Sequence, residues 1–357
     1  MCEFNDEQPT AKDQQQTTNA TLPYICPVLA KIKKIAVFTS GGDSPGMNAA
    51  IRAVVRTARY HKLEVTGIKR GYEGMIDGDF LPMQARSVSN IIQRGGTILK
   101  SGRSKRFLEK KWREIACINL KREKIDGVVA IGGDGTFKGA LVFSKEHNIP
   151  FVGIPGTIDN DLYGTDFTVG YDTAINTAVE AIDKIRDTAD SHDRCFFVEV
   201  MGRDAGFIAL RSGIASGAEA ILIPEQKTDL NEVIDLLRKG KARGKTSNIV
   251  VVAEGDEAGH AFDIAKKVKS KLKDFEIRVV VLGHLQRGGS PTCMDRILAS
   301  RLGVAAVEAL MAGKRSVMVG LQHRDIVHVP FEKATKHHQT VDPYLLKIAR
   351  SLSHPPS

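Results

Sequence analysis

Residues 128–140 read VVAIGGDGTFKGA. A short apolar run ends at two glycines, and an aspartate, a third glycine and a threonine then lead into a helix-compatible segment. A strand that breaks on glycines before a helix exposes backbone N–H groups and the positive end of the helix dipole, and both attract anions. The stretch therefore predicts a phosphate site at the end of a strand in an α/β fold.

The glycine spacing argues against two common phosphate motifs. Gly133, Gly135 and Gly139 form G-x-G-x-x-x-G, which is one residue longer than the dinucleotide fingerprint. The nearest match to a P-loop is KARGKT at residues 241–246, but its first glycine would fall on Lys239. Neither a Rossmann dehydrogenase nor a P-loop kinase is favoured.

Length and composition predict a globular protein. At roughly 150 residues per domain, 357 residues suggest about two domains. Hydrophobic residues make up 42% and charged residues 26%, and no apolar run approaches the roughly 20 residues of a membrane span. Residues 1–30 are polar, Gln/Thr-rich and without the apolar core of a signal peptide, so they predict a disordered tail.

The cysteines and the net charge indicate the cellular location of the protein and the kind of ligand it binds. The five scattered cysteines form no CxxC pair, which predicts reduced thiols and a cytoplasmic location. His337 and His338 adjoin in a polar stretch and favour solvated side chains over a metal site. The net charge is +9, yet aromatic residues make up only 6% and no nucleic-acid motif appears. Basic residues within glycine-bearing motifs therefore predict small phosphorylated ligands, with no nucleic acid and no membrane as partners.

From Lys34 onward, apolar strand-like segments alternate with amphipathic helical ones. Continuous apolar strands separated by helices predict an α/β fold with mostly parallel sheets covered on both faces. Asp172 or Thr173 is the expected N-cap of the helix that begins near Tyr171. The expected strands are 34–39, 127–133, 151–156, 195–202, 218–224, 247–255 and 278–284, and the expected helices are 47–61, 171–189, 230–238, 262–272 and 296–311.

Polar clusters directly follow these strands. Ligands in open α/β sheets bind outside the carboxyl ends of the strands, so the clusters predict one composite site. They are Gly41–Asp43, Gly132–Asp134, Thr157–Asp159, Met201–Arg203, Glu254 and His284.

Three acidic residues carry the predicted chemistry. Asp134 beside a phosphate cradle implies Mg²⁺ between the two negative charges, although an N-cap role is the alternative and Thr136 competes for that cap. In PGTIDND, Asp159 and Asp161 suit one base that takes a proton from an alcohol and one helper carboxylate. A locally hydrogen-bonded turn remains the alternative for that pair.

A set of cations near strand ends, beside Glu254 for a sugar hydroxyl, predicts a phosphosugar pocket. Arginine binds phosphate through two donors in a rigid plane. A solvated basic face is the alternative for any single member. The set comprises Arg194, Arg203, Arg278, His284 and Arg287.

Six motifs, in order, resemble the ATP-dependent 6-phosphofructokinase family. They are TSGGDSPGMNAAIR, GGDGT, PGTIDND, VEVMGR, AEG and VLGHLQRGGSP, and they run from about Lys34 to about Gly320. GGDGT alone also occurs in NAD kinases and lipid kinases, but the ordered set is specific to this family.

The resemblance implies transfer of the γ-phosphoryl group of ATP to the 1-hydroxyl of fructose 6-phosphate, a committed step of glycolysis. It assigns catalysis to Asp159 as base, with Arg103 and Thr157. It assigns the nucleotide to Gly42, Tyr72, Arg103, Ser104, Gly133, Asp134, Gly135 and Thr136, with Mg²⁺ on Asp134. It assigns the sugar to Thr157, Asp159, Met201, Gly202, Arg203 and Glu254, and its 6-phosphate to Arg194, Arg278, His284 and Arg287.

The resemblance also implies architecture and regulation. Two Rossmann-like three-layer domains would exchange segments, with an ATP domain at 31–169 plus 286–335 and a sugar domain at 170–285 plus 336–357. The active site would lie in the cleft between them. The family's tetramers imply a homotetramer with an ADP or phosphoenolpyruvate effector site between subunits. Its counterparts are Arg52, Arg56, Arg186, Glu219, Arg243 and Lys245, although Arg86 is shifted by one place from the family's effector-loop arginine.

Two glycines bear on the phosphoryl donor. In the related pyrophosphate-dependent enzymes an aspartate corresponds to Gly135 and a lysine to Gly156, so the glycines here predict ATP. A non-catalytic regulatory subunit would have lost Asp134, Asp159 or Arg103, and all three are present. A basic RNA-binding protein is the more distant alternative.

Overall fold

The computed structural model describes residues 32–337 and 339–353, so the predicted tail at residues 1–30 lies outside the described residues. In chain order, the strands of the described part are β1 (Lys34–Thr39), β2 (Glu64–Ile68), β3 (Phe80–Met83), β4 (Gly127–Gly132), β5 (Phe151–Pro155), β6 (Arg194–Val200), β7 (Ala220–Leu222), β8 (Asn248–Ala253), β9 (Glu276–Val281), β10 (Val317–Gln322) and β11 (Asp325–Pro330).

The α-helices of the same residues are α1 (Met47–Tyr60), α2 (Tyr72–Asp77), α3 (Lys110–Arg122), α4 (Asp134–His147), α5 (Tyr171–Asp190), α6 (Phe207–Ala215), α7 (Leu230–Ala242), α8 (Ala261–Lys271), α9 (Cys293–Met311), α10 (Phe331–Lys336) and α11 (Pro343–Ser353). Short 3₁₀ turns span Ala85–Val88, Arg106–Leu108 and Gly283–Arg287. The prediction of an α/β fold with mostly parallel sheets is confirmed.

The larger sheet has the strand order β11-β10-β5-β4-β1-β2-β3. Its five central strands run parallel, while β3 and β11 pair antiparallel at its two edges. The carboxyl ends of β1, β4 and β5 therefore meet at one edge of the sheet, where the sequence places the GGD and PGT segments. This arrangement gives the predicted composite site its physical basis.

Helices cover both faces of the larger sheet. One core cluster includes buried side chains of α1 and α9, and the second includes side chains of α2, α3, α4 and α10. The helices α1 and α9 pack closely because Gly303 faces α1: a Cβ there would lie 2.4 Å from the Cβ of Ala53. A side chain at position 303 would therefore force the two helices apart.

The smaller sheet is entirely parallel, with the order β7-β8-β6-β9. Its central strands β6 and β8 are almost entirely buried and contain several valines, which fits a parallel sheet covered on both faces, whereas the edge strand β9 is largely exposed. Residues of α5, α6 and α11 contribute to the core on one face, and residues of α7 and α8 to the core on the other.

The chain leaves the larger sheet after β5, builds the whole smaller sheet, and returns to the larger one for β10 and β11. The last helix, α11, then packs against α6. The larger sheet is thus built from two separate parts of the chain. The domain boundaries expected at 169/170, 285/286 and 335/336 stay predictions.

The expected cap of α5 is wrong. The helix is preceded by Gly170 with φ +103°, and neither Asp172 nor Thr173 occupies the N-cap position. The free N–H groups of the first turn are instead bound by Asp295, which lies 125 residues further along the chain than Gly170. In the described part of the chain, no helix is long and apolar enough to cross a membrane.

Candidate active site

A cavity of about 790 Å³ opens at the carboxyl ends of β1, β4 and β5. It brings together eleven of the residues that the sequence assigned to nucleotide or substrate. These are Gly42, Tyr72, Arg103, Ser104, Gly133, Asp134, Gly135, Thr136, Thr157, Arg203 and Arg287. The cavity is large enough for a nucleotide-sized ligand.

The glycine cradle forms the start of α4. The helix begins at Asp134, and Gly133 is its N-cap residue without any side-chain cap. The N-cap interpretation of Asp134 is therefore wrong, and the Thr136 hydroxyl instead donates to the Ser40 carbonyl at 3.2 Å. A Cβ at Gly135 would meet nothing within 4 Å, so this glycine borders open space. The first turn of α4 thus presents its N–H groups beside an open cavity.

Lys138 is a cavity residue that the sequence analysis missed. Its Nζ lies 2.8 Å from Oδ2 of Asp134, one helical turn away. Both side chains line the cavity, so the ammonium neutralises the carboxylate where phosphate groups would enter. The spacing of four residues within the helix-compatible segment after Gly133 was the signal that could have revealed the pair.

Tyr72 contributes its ring to the cavity wall, whereas its hydroxyl is already hydrogen-bonded within the protein. Its ring stacks on Phe107 with centroids 3.9 Å apart, and its hydroxyl donates to the Thr136 carbonyl at 2.5 Å. Burial raises the pKa of the Tyr72 phenol well above its usual value, so the hydroxyl keeps its proton. Both rings line the cavity, and they offer a flat apolar surface to a planar ligand such as a nucleobase.

Asp159 is almost completely buried, with 1% of its surface exposed. Neither carboxylate oxygen has a hydrogen-bond partner in the described part of the chain. Burial raises its pKa, while the positive charges of Arg203 and Arg287 oppose that rise. The Arg203 Nε lies 3.2 Å from Oδ2 of Asp159. A carboxylate that is kept from water, and whose neighbours Thr157, Asp161 and Arg203 line the cavity, is well placed to accept a proton.

Asp161 accompanies Asp159 and lines the cavity itself. Burial raises its pKa, and the negative charge of Asp159 raises it further. The ionised Asp159 therefore favours the protonated form of Asp161, as expected for two acids in one site. The interpretation of Asp159 as base and Asp161 as helper stays a prediction.

The turn Met201–Arg203 joins the smaller sheet to the cavity. Gly202 has φ +153° and Arg203 has φ +53°, so the chain turns sharply after β6. The Glu254 carboxylate accepts the N–H groups of Gly202 at 3.3 Å and of Arg203 at 2.7 Å. The predicted sugar residues therefore lie close together, and the Arg203 side chain connects them to Asp159.

The turn Gly283–Arg287 carries two predicted phosphate ligands, His284 and Arg287. Arg287 lines the cavity, and its Nη1 donates to the Asp43 carbonyl at 3.2 Å. The turn begins shortly after β9, so it extends from the same end of the smaller sheet as the Met201–Arg203 turn.

Arg194 and Arg278 do not join this cavity. Arg194 begins β6, and both arginines pair with Glu276 at the start of β9. Because a strand rises about 3.3 Å per residue, the seven residues of β6 place Arg194 about 20 Å from the Met201 end. In a single chain, these two arginines are therefore not part of the pocket that the sequence suggested.

The predicted effector residues fall into two groups. In one, Glu219, Arg243 and Lys245 line a cavity of about 140 Å³, Lys245 forms an ion pair with Glu219, and Arg186 donates to the Ser216 carbonyl. In the other, Arg52 and Arg56 lie on α1 beside the larger sheet, and Arg86 is exposed in its own 3₁₀ turn.

Within the described residues, no group of three or more His, Cys, Asp or Glu side chains forms a metal site.

A helix start that can hold phosphate and a carboxylate that can accept the proton of an attacking hydroxyl are recurring parts of enzymes that transfer a phosphoryl group. Residues 34–310 match the phosphofructokinase family model. The chain belongs to the phosphofructokinase family.

Similar proteins agree with this assignment. The chain is 54% identical over 325 residues to ATP-dependent 6-phosphofructokinase 2 of Bacteroides thetaiotaomicron, covering 91% of this chain and 100% of that protein. It is 56% identical over 322 residues to ATP-dependent 6-phosphofructokinase 1 of Thermus thermophilus, covering 90% of this chain and 100% of that protein. Among solved structures, phosphofructokinase from Saccharomyces cerevisiae superposes with a TM-score of 0.81 at 36% identity, covering 90% of this chain and 46% of the longer yeast chain.

Proposed function

We propose that this protein is an ATP-dependent 6-phosphofructokinase acting in the cytoplasm. It transfers the γ-phosphoryl group of ATP to the 1-hydroxyl of fructose 6-phosphate and releases fructose 1,6-bisphosphate and ADP. The observation that carries this proposal is the buried Asp159 carboxylate, whose neighbours Thr157, Asp161 and Arg203 line the cavity that also contains the glycine cradle of α4.

Asp159 takes the proton of the sugar 1-hydroxyl as that oxygen bonds to the γ-phosphorus. The bond between the γ-phosphorus and the bridging oxygen of ADP breaks in the same displacement. Burial favours this proton transfer because it raises the pKa of Asp159 above that of an exposed aspartate. Thr157 supports the base locally, since its hydroxyl oxygen accepts the N–H of Asp159 at 3.2 Å. Arg103 lines the cavity and offsets the charge on the transferred group.

The residues fit a magnesium ion delivered with the nucleotide. Mg²⁺ commonly uses one or two carboxylates together with phosphate oxygens and water, rather than a complete protein cage. Asp134 is partly exposed and lines the cavity next to the cradle, so it is the carboxylate that would hold the ion. The bound ion would neutralise phosphate charge, and Lys138 would then be free to face the phosphates.

The sugar is assigned to the residues around the Met201–Arg203 turn, including Glu254, and its 6-phosphate to His284 and Arg287. Arg194 and Arg278 complete this phosphate site in a homotetramer only if they reach it from a neighbouring subunit. ADP or phosphoenolpyruvate would bind between subunits, with Arg52 and Arg56 of one chain facing the Glu219 cavity of another.

A coupled assay for fructose 1,6-bisphosphate on the purified chain tests this function directly. We expect MgATP-dependent product with fructose 6-phosphate and no product when the sugar phosphate is omitted. Absence of product at saturating ATP, Mg²⁺ and sugar phosphate would refute the proposal and favour a regulatory subunit.

The donor is tested by comparing ATP with pyrophosphate at equal concentration. Gly135 borders open space, so an aspartate there would project a negative side chain toward the nucleotide phosphates. We expect ATP to be used and pyrophosphate to be used negligibly, and Gly135→Asp to impair ATP use. Faster turnover with pyrophosphate in the unmutated chain would contradict the donor assignment, and undiminished ATP use by Gly135→Asp would reject its steric argument.

A further inference from the structure

Gln286 is a fully buried amide that none of the site assignments uses. It lies in the Gly283–Arg287 turn, and its Oε1 accepts the N–H of Met201 at 2.9 Å. Its Nε2 has no hydrogen-bond partner among the described residues. Since a backbone N–H can only donate, Met201 requires the oxygen of this amide to face it. The amide thus accepts the hydrogen bond of the Met201 N–H, but its own buried NH₂ group has no acceptor among the described residues. A buried donor without an acceptor lowers the stability of the folded protein.

The Met201–Arg203 turn is held from both sides by side chains of the neighbouring strands. The strand β6, which precedes the turn, lies between β8 and β9. Glu254, after β8, binds the N–H groups of Gly202 and Arg203, while Gln286, after β9, binds the N–H of Met201. Three successive N–H groups of a turn with two positive φ angles are therefore fixed by only two side chains.

The position of this turn determines where the Arg203 guanidinium lies. Its Nε is 3.2 Å from Oδ2 of Asp159, and its charge opposes the rise in the pKa of Asp159. The other charged groups that act on the pKa of Asp159 are Arg287, which lowers it, and Glu254, which raises it. Asp159 in turn raises the pKa of Asp161. A turn that loosened at Met201 would allow Arg203 to move away from Asp159 and would release the Gly283–Arg287 turn from the sugar side of the site.

We propose that Gln286 is a positioning residue for the phosphoryl transfer. It acts through the Met201 N–H, which keeps Arg203 against Asp159 and couples the turn carrying His284 and Arg287 to the Met201–Arg203 turn. This inference rests on the proposed function, and Gln286 itself need not touch the substrate.

Three substitutions separate the hydrogen bond from the bulk of the side chain. Gln286→Met keeps the length but has no acceptor for the Met201 N–H. Gln286→Asn keeps the amide but shortens its reach, and it replaces the methionine variant if that variant does not fold. Gln286→Glu keeps both the length and an oxygen that can face Met201.

The readouts are kcat, KM for each substrate, the pH profile of kcat, and calorimetric binding of fructose 6-phosphate without ATP. For Gln286→Met we expect roughly 10- to 100-fold lower kcat/KM for the sugar phosphate. The KM for ATP should stay within a few-fold. The acidic limb of the profile should move to higher pH, because Asp159 loses the nearby positive charge that lowers its pKa. Gln286→Glu should restore sugar binding towards the unmutated level.

The matched control is Asn248→Leu, which replaces another buried amide with an apolar side chain at the opposite end of β8 from Glu254. It should leave the KM for the sugar phosphate and the pH profile unchanged. A second test places Gln286→Met in an Arg203→Ala background, where its effect on the pH profile should disappear because Arg203 carries that effect.

Sugar binding within twofold of the unmutated enzyme, with an unmoved acidic limb, in the methionine or asparagine variant would overturn the inference. An undiminished shift in the Arg203→Ala background would also overturn it. Failure of the proposed function is a different outcome: the unmutated chain would then form no fructose 1,6-bisphosphate at all.

Discussion

At the scale of single residues, Asp159 lacks the hydrogen bonds that a carboxylate with a purely structural role would have. A buried carboxylate normally has hydrogen bonds that compensate for lost water, and the described part of this chain supplies none to its two oxygens. Arg203, at 3.2 Å, provides charge without fully neutralising the site. An arrangement that is unfavourable in the free protein is reasonable if the missing partner is a substrate hydroxyl.

Asp159→Asn should therefore remove the base and leave the shape of the site. We expect turnover to fall by at least about 10²- to 10⁴-fold, while affinity for fructose 6-phosphate changes by only a few-fold. Steady-state kinetics and calorimetric sugar binding on the same preparation measure the two effects. Asp183→Asn, an exposed change on α5, is the control, and near-normal turnover of Asp159→Asn would contradict the base assignment.

At the scale of elements, the starts of α5 and α9 are joined through one buried carboxylate. Asp295 accepts the N–H groups of Gly170 and Thr173 at 2.7 and 2.8 Å and the Thr173 hydroxyl at 2.5 Å. In return, the Thr292 hydroxyl donates to Asp172 at 2.6 Å. Burial raises the pKa of Asp295 to about 6, despite these hydrogen bonds to its carboxylate.

This raised pKa predicts a defined pH dependence of stability. Between the ordinary value of 3.8 and about 6 the folded chain holds a proton that the unfolded chain has lost, so stability falls as pH rises through this window. Across this window the free energy of unfolding falls by up to about 3 kcal/mol, because the pKa of Asp295 is raised by about two units. Asp295→Asn cannot titrate, so the melting temperature of the unmutated protein relative to this variant should fall from pH 4 to pH 7. A difference that stays constant across that range would contradict the assignment.

The same elements show which features a sequence can predict. Strands such as NIVVVA and the helix from Tyr171 follow from local apolar patterns, and the structure confirms them. The cap of α5 could not be predicted because its partner lies 122 residues away from Thr173 in the chain. The helix α6 was missed because it is apolar on most sides and lacks the periodicity of an amphipathic helix.

Some features of the candidate site could likewise be predicted from the sequence, and others could not. The glycine cradle and PGTIDND follow strands, so their convergence could be predicted from the rule for parallel sheets. Gln286 and Phe107 are visible only in three dimensions, because their importance depends on Met201 and Tyr72, which lie 85 and 35 residues away in the chain. The antiparallel pair β10–β11 was also missed, although its alternating valines are typical of a hairpin.

The helix α1 carries a prediction about regulation. Arg52 and Arg56 lie four residues apart on this helix, and the alternative to an effector site is a solvated basic face. We expect ADP or phosphoenolpyruvate to shift the fructose 6-phosphate saturation curve, and Arg52→Ala with Arg56→Ala to abolish that shift. Lys121→Ala, an exposed change on α3, should respond like the unmutated protein. A curve indifferent to both ligands at subsaturating sugar would favour the solvated face.

At the scale of the whole molecule, Arg194 and Arg278 are the residues that a single chain does not explain. They lie near the start of β6 and β9, whereas the sugar residues follow the opposite ends of those strands. β9 is an edge strand of the smaller sheet, so this surface is available to another subunit. At about 3.3 Å per residue, Arg194 lies about 20 Å from the Met201 end of β6, and Arg278, which pairs with Phe196, lies about 16 Å from it. Neither arginine lines the cavity. We therefore predict that both arginines contribute to a phosphate site shared between subunits.

A shared site predicts that two inactive chains can complement each other. Asp159→Asn removes the base from the cavity of its own chain, whereas Arg278→Ala removes a phosphate ligand that its chain would supply to a neighbour. A hybrid oligomer contains some sites whose base comes from an Arg278→Ala chain and whose arginine comes from an Asp159→Asn chain, so those sites are complete. Dissociation and reassembly of a mixture should therefore restore a fraction of the activity, and each variant reassembled alone should remain inactive. Mixing without dissociation is the control, because it forms no hybrids. If size-exclusion chromatography shows reassembled oligomers that contain both chains and yet have no activity, the two residues act within one chain and the shared site is rejected.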